Sequence, residues 1–273
     1  MAPERDRLRV GSVPYRVGRP LDAGLAAEPG VELVLDVPAR LVEGLRAGRI
    51  DVALVSSIEL FRRPGYSYLD GIAVAGNGGV SSVQCFLRAP LDRARTLALD
   101  PASRAAAALV AVELAERAPH VELVAVEPGA DPRDADADGW LRIGDGALRE
   151  TVAEAGAERF NPSGSWCERT GQAFVFAPWI ARPGVDLAPW LGAFRRAWAH
   201  GREHLDQIAR DTARELELPA DAVRRYFFEE IDYEPGARQT PALLAFRDAA
   251  AAVGACDGGA EPTPVPVGGA RVS

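Results

Sequence analysis

Three consecutive runs constrain the architecture more than any single residue does. Val31 to Val37 (VELVLDV) and Asp51 to Ser56 (DVALVS) are short and almost wholly apolar. Between them Pro38 to Ala47 (PARLVEGLRA) repeats with a helical period, placing Leu41, Val42 and Leu45 on one face with Gly48 as its cap. Strand, helix, strand in that order is a βαβ unit. Strands that are apolar at nearly every position fit a mainly parallel sheet covered on both faces by helices.

The same grammar runs along the chain. Leu8 to Val13 reads as a strand closed by Pro14-Tyr15, and Pro20 stands where a first helical turn can begin. Tyr68 to Ala75 and Ser82 to Arg88 are strand-like runs separated by Gly76-Asn-Gly-Gly79. After Pro90 the pattern restarts: a strand over Thr96 to Asp100, an alanine-rich helix to about Arg117, and strands over Val121 to Val126 and Leu141 to Asp145. Ala173 to Ile180 is a further apolar strand interrupted at Pro178, and from Leu187 the texture turns helical, with breaks at Pro219 and Pro235-Gly236. The expectation is an α/β protein of two lobes with a ligand cleft between them. Residues 1–88 plus 183–255 would form one lobe and 89–182 the other. Residues 256–273, rich in Pro and Gly with few apolar anchors, are expected to be a disordered tail.

Composition narrows the function. A net charge of -8 argues against a nucleic-acid or anionic-membrane partner, which would need concentrated Lys and Arg. No window approaches the roughly 18 apolar residues of a membrane span, and the opening residues lead straight into a strand-like run, so a cytoplasmic location is expected. Cys85, Cys167 and Cys256 are scattered without CxxC spacing, and only His200 and His204 show a metal-compatible spacing, with no third ligand nearby; no metal is expected.

Candidate chemistry lies at strand ends: Ser12 to Arg19, Val55-Ser56-Ser57, Val80-Ser81-Ser82, and Asp100 to Arg104 ahead of a helix. Ser103 and Arg104 at that helix start can cradle a carboxylate or phosphate, although Ser also serves as an ordinary cap. Asp145, in Ile-Gly-Asp-Gly, can bond a substrate hydroxyl, act as a base or brace its turn. Trp166, Phe174, Phe176 and Trp179 are candidates for an apolar cleft wall or for core. No Ser-His-Asp pattern, Walker loop or GxGxxG is present.

Taken together, VGSVPYRVGRPL (10–21), DVPARLVEGLRAGRIDVALVSSIEL (36–60), VSSVQCFL (80–87), LALDPASRAAAAL (97–109), RIGDGAL (142–148) and RTGQAFVFAPW (169–179) resemble the chorismate dehydratases of the futalosine route to menaquinone. The resemblance covers nearly the whole chain. It implies a bilobed periplasmic-binding-protein-like fold of type II and loss of water from chorismate, an anionic small molecule, to give 3-[(1-carboxyvinyl)oxy]benzoate, with no metal or organic cofactor. It also implies that Ser82 touches the reacting portion of the substrate, that Ser56, Ser57, Ser103 and Arg104 fall on cleft-facing motif positions, and that Val17 occupies a substrate-contacting position; Asp145 remains a candidate substrate-binding residue on its own local pattern. Two departures stand out. Where the family loop reads Pro-Tyr-Leu-Asn with a substrate-contacting Asn, this chain has Pro14-Tyr15-Arg16-Val17, and where Thr and Ser usually follow the Arg, it has Ala105 and Ala106. A non-catalytic carboxylate-binding protein on the same fold is the competing expectation.

Overall fold

The computed structural model describes residues 7–102 and 104–268. Among them run twelve strands: β1 Leu8–Ser12, β2 Val31–Leu35, β3 Val52–Leu54, β4 Ser67–Gly76, β5 Val83–Leu87, β6 Thr96–Leu99, β7 Glu122–Ala125, β8 Gly139–Ile143, β9 Arg159–Phe160, β10 Phe174–Ala181, β11 Ile231–Asp232 and β12 Thr263–Pro266. Nine α-helices accompany them: α1 Arg19–Asp22, α2 Pro38–Arg46, α3 Ala105–Arg117, α4 Gly144–Ala153, α5 Pro162–Thr170, α6 Leu191–Glu203, α7 Leu205–Leu216, α8 Ala220–Arg225 and α9 Gln239–Ala252.

The strands form two sheets, ordered β11-β4-β10-β3-β1-β2 and β7-β6-β8-β5-β9, with β12 added alongside β4. The first βαβ unit is built as its period indicates. β1 pairs parallel with both β2 and β3, while α2 buries Leu41, Val42 and Leu45. Gly48 follows α2 at φ +69°, a left-handed turn that ends the helix without a Cβ penalty. One expectation for this unit is corrected. β2 is not covered on both faces but is the free edge of its sheet, with Leu35 59% exposed.

The crossings between sheets fall earlier than residues 88 and 183. β5 pairs antiparallel with β8 and belongs to the second sheet; β10 runs antiparallel between β3 and β4 and belongs to the first. An apolar strand signal does not state which sheet will take the strand. Pro178 is tolerated inside β10 because it sits at a register shift, where one fewer ladder N–H is needed. The two crossing segments are fastened to each other: Asn161 Nδ2 donates to the Val80 carbonyl at 3.1 Å, and Ser163 Oγ to the Gly78 carbonyl at 2.9 Å.

The alanine-rich α3 lies where the two cores meet. Ala105, Ala108, Leu109 and Val112 join the larger core, whereas Ala106, Val110 and Leu114 join the smaller. Small side chains let a helix be approached closely from two sides, which explains a composition that carries little amphipathic signal. The expected disordered tail is also corrected over its described part. Residues 263–266 pair parallel with β4 from Ser67 to Asp70, and Val267 is buried. Exposed backbone on β4 supplies a partner for a Pro-rich segment that could not fold alone.

Candidate active site

All four strand-end loops singled out in the sequence converge on one cleft between the lobes, enclosing about 720 Å³ including the space at its mouth. Val13, Tyr15 and Val17 enter from the first loop, Val55 and Ser56 from the end of β3, Val80 and Ser82 from the first crossing, and Ala102, Arg104, Ala105 and Ala106 from the start of α3. Phe176, Ala177 and Ile231 complete an apolar wall. Of the four aromatic candidates only Phe176 reaches the cleft; Trp166, Phe174 and Trp179 are core.

The polar side chains on the wall are few. Ser56 Oγ is buried and has no hydrogen-bond partner among the described residues. Ser82 accepts a hydrogen bond from the Tyr226 hydroxyl at 2.9 Å. Arg104 caps α3, so its guanidinium and the free N–H groups of the first turn lie at the same end of the cleft. Behind Arg104, at 3.9 Å, stands the fully buried carboxylate of Glu59, already held by Arg46 through two bonds of 2.7 Å. Glu59 therefore orients Arg104 without neutralising the cluster. Tyr15 stays a phenol, its pKa raised by burial and by the carboxylates of Asp100 and Asp145. Among the described residues no carboxylate or imidazole lines the cleft.

Two candidates are placed elsewhere, and one lies outside the described residues. Ser57 is fully buried and does not line the cleft: at the start of the 3-10 turn Ser57–Phe61 the chain rotates, sending Ser56 outward and Ser57 into the core. Asp145, in the first turn of α4, does not line the cleft either. It accepts the Arg16 backbone N–H at 3.2 Å and so braces the first loop across the lobes. Ser103 is outside the described residues. His200 in α6 and His204 just beyond its end bring their rings to 4.1 Å between centroids, tilted by 34°, and no group of three or more His, Cys, Asp or Glu is placed to hold a metal among the described residues. No helix among them is long and apolar enough to cross a membrane.

The menaquinone biosynthesis family matches residues 8–252. The chain belongs to that family. Solved structures similar to this member agree with the fold. Protein AF1704 from Archaeoglobus fulgidus is 17% identical, with 92% of this chain and 99% of that one covered and a TM-score of 0.73. The alkanesulfonate-binding protein SsuA from Xanthomonas axonopodis pv. citri, bound to MOPS, is 17% identical over 92% and 94%, with a TM-score of 0.64. The Candida albicans CA3427 gene product, described as having the generic periplasmic binding protein structural fold, is 12% identical over 91% and 90%, with a TM-score of 0.57. The fold of this family member is thus periplasmic-binding-protein-like.

The first loop is anchored from below. Tyr233 donates its hydroxyl proton to the Val17 carbonyl at 3.0 Å, and Ser12 Oγ donates to Asp22 at 2.6 Å. Burial pushes the Asp22 carboxyl up to about 6, against the opposing pull of Ser12 and Arg19. A carboxyl whose pKa is higher folded than unfolded contributes stability while protonated, and that contribution fades as pH rises from the ordinary value toward about 6. Asp22→Asn is expected to gain on the wild type by ~2 kcal/mol between about pH 4 and pH 7 in urea unfolding. The same difference at both pH values would mean that Asp22 titrates as if in water.

Proposed function

We propose that this cleft is the active site of a cytoplasmic chorismate dehydratase, a hydro-lyase forming 3-[(1-carboxyvinyl)oxy]benzoate on the way to menaquinone. The observation that carries the reading is a lining whose polar side chains, Tyr15, Ser56, Ser82 and Arg104, can all donate hydrogen bonds, set in otherwise apolar walls. Donors with no facing acceptor suit an anion, and apolar walls suit a ring. Membership of the menaquinone biosynthesis family supports the same conclusion.

The chemistry fits a site without a lining base. The substrate's own enolpyruvyl carboxylate takes the ring hydrogen beside the ether as a proton. The electron pair of that C–H bond becomes a ring double bond as the neighbouring C–O bond breaks, and the departing hydroxyl leaves with the proton as water. Aromatisation drives the step, so the protein's part is to hold the carboxylates and the ring in a reactive pose and to exclude water. Arg104 and the α3 N-terminus are assigned to one carboxylate, Ser56 and Ser82 to oxygens nearer the reacting carbons.

Purified protein mixed with chorismate should yield the aromatic enol ether, followed by NMR. Val17→Asn, which places an amide at the mouth of the same loop and keeps the Val17 carbonyl bonded to Tyr233, is expected to raise kcat/KM about tenfold, the worth of one orienting hydrogen bond. Binding of chorismate without turnover in the wild type, and none created by Val17→Asn, would favour the carboxylate-binding protein instead. An apolar side chain at 17 is the observation on which that second reading rests.

A further inference from the structure

Ser82 sits beside a feature that the sequence pattern does not announce. After α8 the backbone widens into a π-helical turn over Tyr226–Glu230. Such turns are rare and occur frequently at functional sites. This one reaches across 144 residues to the first interlobe crossing. Tyr226, 1% exposed, donates its hydroxyl proton to Ser82 Oγ at 2.9 Å. The Glu230 carboxylate accepts the Ser81 N–H at 2.7 Å and the Ser81 hydroxyl at 2.9 Å. Adjacent serines are therefore held from the same turn, one through each of its ends.

We propose that Tyr226 is a positioning residue that sets Ser82 as a hydrogen-bond donor to the ligand. A serine hydroxyl both donates and accepts, so in isolation its direction is undetermined. Here one lone pair of Ser82 Oγ is taken by Tyr226, and no protein acceptor for the Ser82 proton is present among the described residues. Ser82 lines the cleft, so the proton is presented there to a carboxylate or hydroxyl oxygen. Burial, together with the nearby carboxylates of Asp145 and Glu230, holds the Tyr226 phenol well above its ordinary pKa, so it remains a donor. Donation by Tyr226 also polarises the Ser82 O–H and strengthens the bond that Ser82 makes.

The assignment rests on the dehydratase reading and is tested with a double-mutant cycle: wild type, Tyr226→Phe, Ser82→Ala and the double variant, each assayed for chorismate kcat and KM and for melting temperature. Tyr226→Phe should lower kcat/KM about tenfold with the ring packing retained, and the double variant should be no worse than Ser82→Ala alone, because Tyr226 acts only through Ser82. No effect of Tyr226→Phe, or two losses that multiply in the double variant, would overturn it. Should Tyr226→Phe fold poorly, the hydroxyl proton of Tyr226 in wild-type protein carrying 13C-labelled tyrosine takes its place. It should shift downfield when chorismate is added, as Ser82 becomes a better acceptor on donating, and an unmoved resonance counts against the proposal. If the wild type does not turn over chorismate, the dehydratase reading falls separately. The same four proteins are then compared by calorimetry with chorismate: a tenfold loss of affinity in Tyr226→Phe that vanishes in the Ser82→Ala background supports the positioning role, and additive losses or no binding at all reject it.

Discussion

Arg104→Gln is expected to lower chorismate kcat/KM about a hundredfold, mostly through KM. Arg104 is the one cation on the wall of the cleft among the described residues, and it stands at the N-terminus of α3, where free N–H groups and the helix dipole act with it on the same anion. A hydrogen bond to a charged group contributes about 1.5–3 kcal/mol, or roughly ten- to more than a hundredfold in rate or affinity. Glutamine keeps length and some donor capacity but removes the charge. The salt dependence of KM should flatten along with the loss, since a charge contact is screened and a neutral one is not. Arg104→Lys should recover only part of the activity, because an ammonium cannot present the planar pair of donors that a carboxylate accepts. Unchanged kinetics in Arg104→Gln would remove the residue from the site. The Arg46–Glu59 pair behind it, with its 2.7 Å contacts, should remain, so melting temperature is a control rather than a second readout.

Gly201→Ala is expected to be more damaging than alanine at any other glycine among the described residues. α6 crosses α1 so closely that a Cβ at Gly201 would lie 1.8 Å from the Pro20 carbonyl oxygen and 2.6 Å from its carbon. The obstacle is backbone, not the end of a flexible side chain, so the helices must separate. α1 carries Asp22 and follows the loop that presents Val17, hence the cleft moves with it. The cost should be on the order of 4 kcal/mol or more, a large share of the stability of an ordinary domain. Gly192→Ala on the same helix is the matched control. Its Cβ meets only the Arg196 guanidinium at 3.1 Å, which can swing away, and replacing a helical glycine by alanine gains up to about 1 kcal/mol. Thermal melts of the two variants should therefore move in opposite directions, and a fall of equal size in both would show that the α1–α6 approach is looser than these distances.

Much of the cleft was legible because strand ends in α/β folds are where ligands bind, and strand ends are marked by short-range patterns. DVALVS pointed to Ser56, VSS to Ser82 and LALDPASR to Arg104, each from an apolar run that stops at small or polar residues. Phe176 carried the same local marks as Phe174 two positions away, yet only Phe176 faces the cleft. Tyr226 bore no mark at all. In RRYFFEE it reads as one more aromatic on a helix, and nothing local indicates that a π-turn will carry its hydroxyl to a serine 144 residues earlier.

What the sequence by itself determined is therefore the content of local order: most of the strands and helices, though not α4, α5, β9, β11 or β12, that β2, α2 and β3 form a βαβ unit, and which loops hold hydroxyls and a cation. Those follow from periodicity and capping, which act over a few residues. The tertiary structure decided everything that depends on which surface meets which. It assigned β10 to the first sheet, opened β2 as an edge and recruited residues 263–266 to β4. It also turned Ser57 inward beside an outward Ser56, and spent Asp145 on the Arg16 backbone rather than on the cleft. Each of these is a choice between partners distant along the chain. Backbone pairing and burial are satisfied equally well, as far as local sequence is concerned, by several such partners.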